Sequence, residues 1–355
     1  MHEPVYIIAE IGINHNGSIE NCFKMIDAAV EAGCNAVKFQ LFKAKYLYPQ
    51  SAGSLDWKNA EKEYSYNIYE AAERFELPED WIDKLMNYSE DREIDFLSSV
   101  SDRTGVDLLA KKGIKRIKLS SYTITNIPLI DHCAKTALPI IMSTGGATLS
   151  EIEEAVTTVS KYHNNLTILH CSIKYPTDLT DCNLGVIETL RVVFPTIDVG
   201  YSDHTIEISD AAVQAVYLGA SVIEKHITRN KKMEGPDHFF ALEPAELRKM
   251  VRDIRQAELS YIRGDFKIEK SVYGSTAKVT YSHEKYLRDF AYMCLFSAKD
   301  IKEGEIITDK DIAILRPGKK KRGLEPKYLK LFEEYKVTAK RNIVFEEPIT
   351  WDAIL

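Results

Sequence analysis

Polar residues that can bind ions or transfer protons interrupt eight short apolar segments of the sequence, each near the carboxyl end of its segment. They are Glu10, Lys38, Gln40, Ser99, Lys118, Ser121, Ser143, Thr144, His170, Ser202, His204, Glu224 and His226. Carboxylates and imidazoles in such a set transfer protons or hold a cation, and lysines and hydroxyls hold an anion. Because eight separate segments carry polar residues at the same end, we expect a fold that gathers these ends into one site.

Two of these residues, His204 and His226, follow the seventh and eighth apolar segments, which we predict to be adjacent strands. Two imidazoles at neighbouring strand ends can share one cation, with water and substrate oxygens in the remaining positions. Hydrogen-bonded structural histidines are the alternative interpretation, which the nearby carboxylates of Asp203, Glu224 and Asp237 make less favourable. The sparse, polar ligand set suits Mn²⁺ or Mg²⁺ better than a structural Zn²⁺.

Lys38 and Lys118 lie inside predicted strands, where a buried ammonium group is costly unless it is paired. They either pair with carboxylates such as Glu10 and Glu224 or bind an anionic ligand. Four hydroxyls predicted on the same face favour the second interpretation, namely those of Ser99, Ser121, Ser143 and Ser202. Lysines and hydroxyls together match a small phosphorylated carboxylate. A Schiff-base lysine is a further alternative in a barrel enzyme, although the two candidate metal ligands make it less attractive.

Strand-like segments alternate with segments of helical period over residues 1–264. The strands are predicted at 5–12, 35–42, 95–101, 116–121, 139–144, 166–172, 197–203 and 221–228. Helices are predicted at 19–32, 103–112, 127–137, 149–163, 183–193 and 207–218, and the stretch 54–92 should add a helix of its own. Eight alternating units favour a (β/α)8 TIM barrel, which is an α/β fold. An open doubly wound sheet is the alternative, but it requires a glycine-rich turn after the first strand, and the sequence has none there.

The alternation stops near residue 264, which we take as the end of a catalytic barrel domain spanning residues 1–264. Residues 265–290 are polar, charged and aperiodic, and we predict a linker there. A weak repeat follows, because AKDIKEGEIITDKDI and AKRNIVFEEPITWDAI place isoleucines at the same spacing. A duplicated motif of this length predicts a small, pseudo-symmetric, β-rich domain at residues 291–355.

Composition and charge argue against several classes of function. The formal net charge of −7 gives no reason to expect nucleic-acid binding. No apolar run reaches the ~18 residues of a membrane span, and the amino terminus lacks the pattern of a secretory leader. The 6 cysteines contain no CxxC pair, so we expect reduced thiols in a cytoplasmic protein.

Seven motifs of the barrel region recur in a known protein family. They are AEIGINHNG (9–17), AVKFQ (36–40), STGGAT (143–148), LHCSIKYPT (169–177), GYSDHT (200–205), IEKHIT (223–228) and GPDHFFALEP (235–244). In this order they resemble the sialic acid (N-acetylneuraminate) synthase family. DFAYMCLFSAKDIKEGEIIT (289–308) and RPG (316–318) are similar to that family's C-terminal antifreeze-like (SAF) domain, so the resemblance spans nearly the whole chain.

The resemblance implies condensation of phosphoenolpyruvate with N-acetylmannosamine, or a related acylamino-sugar aldehyde, to give a nine-carbon 2-keto acid and phosphate. It implies that His204 and His226 bind Mn²⁺, which polarises the aldehyde. The residues that would hold phosphoenolpyruvate are Lys38, Lys118, Ser121, Ser143 and Ser202, with Ser99 in place of the family's usual Thr. Glu10 is the candidate for activating water.

Residues of both domains would bind the sugar. Those of the barrel are Glu10, Gln40, Tyr175 and Asp237. Arg316 belongs to the small domain, which in the family caps the partner's barrel in a domain-swapped homodimer, and it would reach the N-acyl group of the sugar. Phe290 would line the same cap.

Three departures from the family pattern leave the acceptor sugar open. Thr123 stands where a Glu is usual, Ile173 replaces a small polar residue, and Lys319–Arg322 add positive charge after RPG. A legionaminic or pseudaminic acid synthase acting on a diacetamido-trideoxyhexose is one alternative. A catalytically weakened sugar-binding or regulatory homologue is another. A synthase for a phosphorylated sugar such as arabinose 5-phosphate is disfavoured by the SAF-like domain and by the many hydroxyl-binding groups.

Overall fold

A computed structural model describes residues 3–58 and 63–354 of the chain. Its strands are β1 (Tyr6–Gly12), β2 (Ala36–Leu41), β3 (Ser54–Lys58), β4 (Glu63–Asn67), β5 (Asp95–Val100), β6 (Ile117–Leu119), β7 (Ile140–Ser143), β8 (Leu166–His170), β9 (Asp198–Asp203), β10 (Val222–His226), β11 (Cys294–Ser297), β12 (Ile306–Ile307), β13 (Ile312–Leu315) and β14 (Val337–Thr338). Eight of them close a parallel barrel in the order β1, β10, β9, β8, β7, β6, β5 and β2. Each of these eight lies inside a range predicted from the sequence, and the TIM barrel is confirmed.

Helices form the outer layer of the barrel and part of the C-terminal region. They are α1 (Ile19–Ala32), α2 (Ala44–Leu47), α3 (Ile68–Arg74), α4 (Glu79–Glu90), α5 (Arg103–Lys111), α6 (Ile127–Lys135), α7 (Leu149–Ser160), α8 (Val186–Val193), α9 (Asp210–Tyr217), α10 (Pro244–Arg263), α11 (Lys270–Tyr273), α12 (Lys285–Ala291), α13 (Leu329–Glu334) and α14 (Trp351–Ile354). Helix α1 begins where Ser18 accepts a hydrogen bond from the backbone N–H of Asn21, and it ends at Gly33 in the left-handed region. None of the helices in the described ranges is both long and apolar enough to cross a bilayer.

The inner face of the barrel changes from apolar to polar along each strand. An apolar cluster fills its lower part and consists of Ile8, Ala36, Leu97, Ile141, Leu169 and Val222. Alternate residues of a strand point to the same face, so the residues two positions further along also face the interior. These include Glu10, Lys38, Ser99, Ser143 and Glu224. The apolar cluster therefore closes the barrel from below, and the polar side chains face its carboxyl end, where barrels of this kind carry their sites.

The register of the strands places polar residues of neighbouring strands side by side. Glu10 of β1 is paired with Lys38 of β2 and with His226 of β10. Ser99 of β5 is paired with Lys118 of β6 in the same way. The polar ring expected from the sequence is therefore a consequence of in-register parallel pairing.

Residues 54–92 contain more structure than the single helix expected there. Strands β3 and β4 form an antiparallel hairpin, and helices α3 and α4 follow it. The sequence between the two strands lacks the Asn-Gly or Asp-Gly pair that marks a tight hairpin turn, so the sequence pattern did not separate the hairpin from a loop. The start of α3 is marked by Asn67, whose side chain accepts hydrogen bonds from the backbone of Tyr69 and Glu70. We call residues 54–75 the barrel extension.

Residues 265–290, which we call the linking segment, are packed against the barrel. Val272 is fully buried, and Glu284 is 1% exposed. The backbone carbonyl of Val272 accepts a hydrogen bond from Leu184 N, and that of Tyr273 accepts one from Gly185 N. The segment therefore contributes to the barrel surface in addition to joining the two domains.

The C-terminal region forms the small β-rich domain that its internal repeat predicts. Strands β11 and β13 form one two-stranded sheet, and β12 and β14 form another. Ile301 and Ile343, which occupy matching positions in the two halves of the repeat, face each other in an antiparallel bridge. Ile307 and Ile349 also match, and both are fully buried. The two halves of the repeat therefore share one core.

The C-terminal domain lies over the barrel of its own chain. Arg316 N donates to Leu47 O, and Lys319 N donates to Ala52 O, both at 2.8 Å. Between them Gly318 has a φ of 64°, and a Cβ atom there would lie 2.7 Å from Ala52 O. Only glycine permits this close approach of the two backbones.

Candidate active site

A cavity of about 510 Å³ opens at the carboxyl ends of the barrel strands and is also lined by the barrel extension, the linking segment and the C-terminal domain. All fourteen side chains predicted for the site line it, namely Glu10, Lys38, Gln40, Ser99, Lys118, Ser121, Ser143, Tyr175, Ser202, His204, His226, Asp237, Phe290 and Arg316. The residues predicted from the sequence therefore lie around one cavity, while the role of each residue in it stays a prediction.

Glu10, Lys38, Lys118 and Glu224 form a buried group of alternating charge at the base of the cavity, which we call the charge cluster. Lys38 Nζ lies 2.9 Å from Glu10 Oε2 and 3.5 Å from Glu224 Oε1. Lys118 Nζ lies 3.5 Å from that same oxygen of Glu224. None of the four side chains is more than 5% exposed. Both lysines are thus paired with carboxylates, and the charge cluster is formally neutral.

Burial and neighbouring charges act in opposite directions within the charge cluster. Burial alone would raise the pKa of Glu224, but the ammonium groups of Lys118 and Lys38 outweigh it and hold this pKa at about 2. Burial raises the pKa of Glu10 by more than the Lys38 ammonium lowers it. Burial also lowers the pKa of Lys118, although the Glu224 carboxylate opposes this effect. Glu224 therefore stays ionised, and Glu10 is the carboxyl group that more readily accepts a proton.

Hydroxyl groups surround the lysine ammonium groups. Lys118 Nζ donates to Ser143 Oγ at 2.7 Å, and Ser202 Oγ donates to Glu224 Oε1 at 3.1 Å. Ser121 Oγ accepts a hydrogen bond from Gly145 N at 3.0 Å. Ammonium and hydroxyl donors therefore converge on one end of the cavity, as recognition of a phosphate or carboxylate requires.

His204 and His226 lie next to each other, with 5.7 Å between their ring centres. His204 Nδ1 donates to the backbone carbonyl of Ser172 at 2.6 Å, which leaves the lone pair on Nε2. Nδ1 of His226 is buried without a hydrogen-bond partner among the described residues, 3.7 Å from Asp237 Oδ2. Burial lowers the pKa of both imidazoles, that of His204 to about 4. Both rings are therefore neutral at pH 7, which is the form that binds metals.

This pair of imidazoles fits a cation that takes few ligands from the protein. Within residues 3–58 and 63–354, no group of three or more His, Cys, Asp or Glu side chains is arranged to hold a metal. A cation at His204 and His226 would therefore take its remaining ligands from water and substrate, a pattern that suits Mn²⁺ or Mg²⁺. Metal binding itself stays a prediction.

Three further side chains surround the imidazole pair on the side assigned to the sugar. Gln40 Nε2 donates to Glu10 Oε1 at 2.9 Å. Burial, reinforced by the charge of Glu10, raises the pKa of Asp237 to about 7. The ring of Tyr175 packs on the imidazole of His204, with 4.2 Å between the ring centres. Hydrogen-bonding groups therefore lie directly beside the candidate metal ligands.

Arg316 reaches the cavity from the C-terminal domain of the same chain. Its guanidinium lies over the rings of Tyr122 and Tyr48, at 4.7 and 5.7 Å from their centres. Its Nε is buried without a hydrogen-bond partner in the described part of the chain. A guanidinium held between aromatic rings can donate to carbonyl or carboxylate oxygens of a ligand. The predicted exchange of this domain between two chains stays a prediction.

The outer wall of the cavity is largely apolar. Its side chains come from the segment after β2, the barrel extension and the linking segment, and they include Phe42, Leu55, Ile68, Ala72, Phe75 and Leu287. The cavity is thus charged at its base and apolar toward its outer end.

Three lining residues were missed or underrated by the sequence reasoning. Glu224 was considered as a lysine partner and as a carboxylate near the histidines but was not assigned to the site, although it lies two residues before His226 and therefore on the same strand face. Tyr122 follows Ser121 directly, and this position was its only signal. Tyr48 lies in the connection after β2 and has no sequence motif that indicates chemistry.

Three departures from the family pattern, namely Thr123, Ile173 and Lys319–Arg322, lie outside the described lining of the cavity. Thr123 is fully buried, and its hydroxyl donates to Ser120 O at 2.8 Å. Ile173 is also fully buried and packs against Gly146. The residues of Lys319–Arg322 do not line the cavity either. Of the departures noted in the sequence, only Ser99, in place of the family's usual Thr, therefore lines the cavity.

Comparison with known families covers nearly the whole chain. The sequence model of the NeuB family matches residues 25–265. This chain belongs to the NeuB family. The SAF domain matches residues 292–355 and completes the two-domain organisation. In this NeuB-family protein the matched barrel region contains both histidines and both lysines of the cavity, and Arg316 lies in the SAF domain.

Relatives of this NeuB-family chain are similar over most of their length. The spore coat polysaccharide biosynthesis protein SpsE of Bacillus subtilis is 41% identical over 354 residues, which are 99% of this chain and 94% of that protein. The N,N'-diacetyllegionaminic acid synthase of Legionella pneumophila is 36% identical over 318 residues, 88% of this chain and 85% of that protein. The crystal structure of Bacillus subtilis SpsE has a TM-score of 0.88 at 39% identity and covers 100% of this chain and 96% of its own. The family contains synthases of nonulosonic, sialic-type acids.

Proposed function

We propose that this NeuB-family protein condenses phosphoenolpyruvate with an acylamino-sugar aldehyde and releases phosphate and a nine-carbon 2-keto sugar acid. The observation that carries the proposal is that the charge cluster and the His204–His226 pair line one cavity. The reaction needs a site for an anionic donor directly beside a site for an aldehyde. N-acetylmannosamine is the first acceptor to be considered.

Phosphoenolpyruvate would lie above the charge cluster, where the donors converge. Lys38 and Lys118 would contact its phosphate and carboxylate, together with the hydroxyls of Ser99, Ser121, Ser143 and Ser202. All of these groups except the partly exposed Ser99 are buried, so their electrostatic interactions with an anion are less screened than at the surface. Support for this placement comes from the Lys118–Ser143 hydrogen bond, which holds an ammonium and a hydroxyl side by side.

The acceptor would lie between the imidazoles and the C-terminal domain. His204 and His226 would hold a Mn²⁺ or Mg²⁺ ion, which when bound polarises an aldehyde and stabilises negative charge on its oxygen. The hydroxyls of the sugar would contact Gln40, Tyr175 and Asp237. The guanidinium of Arg316 would donate to the carbonyl of the N-acyl group.

The proposed reaction needs one proton acceptor among the protein side chains. C3 of phosphoenolpyruvate attacks the aldehyde carbon, whose oxygen takes a proton from solvent and becomes a hydroxyl group, and C2 becomes electrophilic. Water adds to C2 with loss of one proton. The tetrahedral intermediate then forms the keto group as its C–O bond to phosphate breaks and its hydroxyl proton passes to the departing phosphate. We propose that Glu10 accepts the proton of this water, because it lines the cavity and burial raises its pKa, whereas the lysines lower that of Glu224.

The apolar outer wall favours a second acceptor, a diacetamido-trideoxyhexose. Such a sugar carries a methyl group in place of a hydroxymethyl group of N-acetylmannosamine and an acetamido group in place of a hydroxyl, and burying one CH₂ or methyl group contributes about 0.8 kcal/mol. Phe42, Ile68 and Phe75 would provide apolar contacts for these groups. The name of the Legionella pneumophila relative, a diacetyllegionaminic acid synthase, agrees with this candidate.

A panel of acceptors tests the proposal directly. The protein is incubated with phosphoenolpyruvate, Mn²⁺ and either N-acetylmannosamine or a diacetamido-trideoxyhexose, with arabinose 5-phosphate as the contrasting acceptor. Phosphate release and the mass of the product identify the preferred sugar. We expect turnover with at least one acylamino sugar and none with arabinose 5-phosphate. Absence of phosphate release with every acylamino sugar contradicts the proposal.

A catalytically weakened homologue is the alternative from another functional class. It predicts ligand binding without turnover, so the same assay combined with binding measurements separates the two. Its support in the sequence was Thr123 and Ile173. Neither side chain lines the cavity, which favours the enzyme.

A further inference from the structure

The linking segment carries a buried carboxylate that no part of the proposed chemistry uses. Glu284 is 1% exposed and does not line the cavity. Its Oε1 accepts hydrogen bonds from Gly146 N at 2.9 Å and from Ile173 N at 3.2 Å. These two amides belong to the loops that follow β7 and β8. One carboxylate oxygen of the linking segment therefore joins two loops at the catalytic end of the barrel.

Other side chains near Glu284 bind the same short stretch, residues 143–147, which we call the glycine loop. Thr280 Oγ1 donates to Gly146 O at 2.8 Å, and Arg288 Nη1 donates to the same oxygen at 2.6 Å. The hydroxyl of Tyr292 donates to Gly145 O at 2.5 Å. The peptide groups around Gly146 are therefore held by the linking segment and by the first residues of the C-terminal domain.

The opposite side of the glycine loop faces the proposed phosphoenolpyruvate site. Gly145 N donates to Ser121 Oγ at 3.0 Å. Ser143, two residues earlier, accepts the hydrogen bond from Lys118. Only three peptide bonds separate Gly146, whose N–H binds Glu284, from Ser143, whose hydroxyl binds Lys118. A displacement of Gly146 would therefore be transmitted to Ser143 and Ser121.

The glycine loop has little space in which to adjust by itself. A Cβ atom on Gly145 would lie 2.8 Å from Cys171 Sγ, and one on Gly146 would lie 2.7 Å from Ile173 Cδ1. The loop is thus packed between the floor of the site and Ile173, and its backbone hydrogen bonds determine its position. This also gives Ile173 a role, since both its side chain and its amide are part of that packing.

We propose that Glu284 is a positioning residue, which holds the glycine loop so that Ser143 and Ser121 present their hydroxyls to phosphoenolpyruvate. The inference rests on the proposed function for the identity of the ligand, but the hydrogen bonds by which Glu284 holds the loop do not depend on that function. A carboxylate forms stronger hydrogen bonds with backbone N–H groups than a neutral acceptor does. The linking segment thereby contributes to catalysis from outside the cavity.

Replacing Glu284 tests the inference through the two Michaelis constants. Glu284→Ala removes the acceptor and should raise the KM for phosphoenolpyruvate by about 10-fold or more, with the KM for the sugar changed less than about threefold. Glu284→Gln keeps an acceptor oxygen and should stay within about threefold of the wild-type values. Thr280→Val removes one of the hydrogen bonds to Gly146 O. This variant should also raise the KM for phosphoenolpyruvate, by a smaller factor than Glu284→Ala does. Asp289→Ala, at an exposed position five residues along the chain, is the matched control.

Amide hydrogen exchange measures whether Glu284 holds the glycine loop, independently of the proposed reaction. In Glu284→Ala we expect faster exchange at Gly146 and Ile173 than in the wild type, whether or not the protein turns over any sugar. Unchanged exchange, or an equal rise of both Michaelis constants, would overturn the inference. If the wild type releases no phosphate with any acceptor, the proposed function fails, and the exchange rates alone then decide whether Glu284 holds the loop.

Discussion

Glu224 Oε1 lies 3.5 Å from Lys118 Nζ at the base of the cavity, and it lies at the same distance from the ammonium of Lys38. One ionised carboxylate therefore interacts with both buried ammonium groups, while Glu10 also pairs with Lys38. A ligand that brings its own negative charge to this place competes with Glu224 for both lysines. The stability of the apoprotein and its affinity for anions are thereby linked through one residue.

Replacing Glu224 by Gln should lower the stability of the protein and increase its response to an anion. Loss of one partner from a buried ion group costs about 3 kcal/mol, because the lysines are left without full compensation. Phosphoenolpyruvate restores negative charge at that position, so the melting temperature should rise more with this ligand in the variant than in the wild type. Thermal unfolding with and without phosphoenolpyruvate measures this, with the exposed Glu73→Gln as control. An equal shift in wild type and variant would show that the anion does not replace Glu224.

The two imidazoles should be required separately for metal-dependent turnover. His204→Ala and His226→Ala each remove one of the two proposed protein ligands, and we expect a loss of activity of at least about 100-fold with the fold preserved. Titration with Mn²⁺ followed by electron paramagnetic resonance measures binding, and circular dichroism monitors the fold. His132→Ala, on α6 outside the cavity, is the control. Full activity of either cavity variant would show that the metal assignment is wrong.

Much of this arrangement could be predicted because it depends on periodic patterns. Each barrel strand is a short, mostly apolar run with a polar residue near its carboxyl end, and the alternation of inward and outward residues places a pair such as Ile8 and Glu10 on the same face. The histidines of the last two strands were predicted as neighbours by counting strands alone. Strand order and parallel pairing thus determined the barrel part of the site.

The rest of the site depends on contacts that leave no pattern in the sequence. Arg316 and Phe290 lie far along the chain from the strand ends, and only the family resemblance linked them to the cavity. Glu284 accepts hydrogen bonds from the backbone amides of Gly146 and Ile173. Every residue type except proline provides such an amide, so the side chains at these two positions do not indicate the contact. The hairpin of the barrel extension was missed because the sequence between its two strands contains no dipeptide typical of a tight turn.

Arg316 should contribute more to the binding of the acceptor sugar than to the binding of phosphoenolpyruvate. Arg316→Ala removes the guanidinium held over Tyr122 and should raise the KM for the acceptor sugar by about 10-fold or more, while the KM for phosphoenolpyruvate changes little. Steady-state kinetics with each substrate varied in turn measures both constants. Arg341→Ala, in the same domain but outside the cavity, is the matched control. Equal increases of both constants would indicate that Arg316 only stabilises the domain contact.

Exchange of the C-terminal domains between two chains can be tested by mixing two variants, assayed at a low sugar concentration at which each alone has little activity. In an exchanged dimer, a chain carrying Arg316→Ala provides an intact barrel, and a chain carrying His204→Ala provides an intact Arg316. Random pairing then restores about a quarter of the wild-type sites. We expect this recovery after the two proteins are unfolded together and refolded. No recovery, with both variants folded, would show that each domain acts on the barrel of its own chain.

Buried histidines outside the proposed metal site, among them His15 and His170, should make the fold sensitive to mild acid. Burial lowers the pKa of His15 to about 4 and that of His170 to about 3, below the ordinary 6.5. Since the neutral form is the folded one, stability is complete above pH 6.5 and falls as the pH decreases, because the unfolded chain binds protons that the folded chain does not. Between pH 7 and pH 5 each histidine should cost up to about 2 kcal/mol of the free energy of unfolding. Urea unfolding at the two pH values measures this loss, and His170→Asn should reduce it even though the variant is less stable at pH 7. The same pH dependence in variant and wild type would show that His170 is not the source.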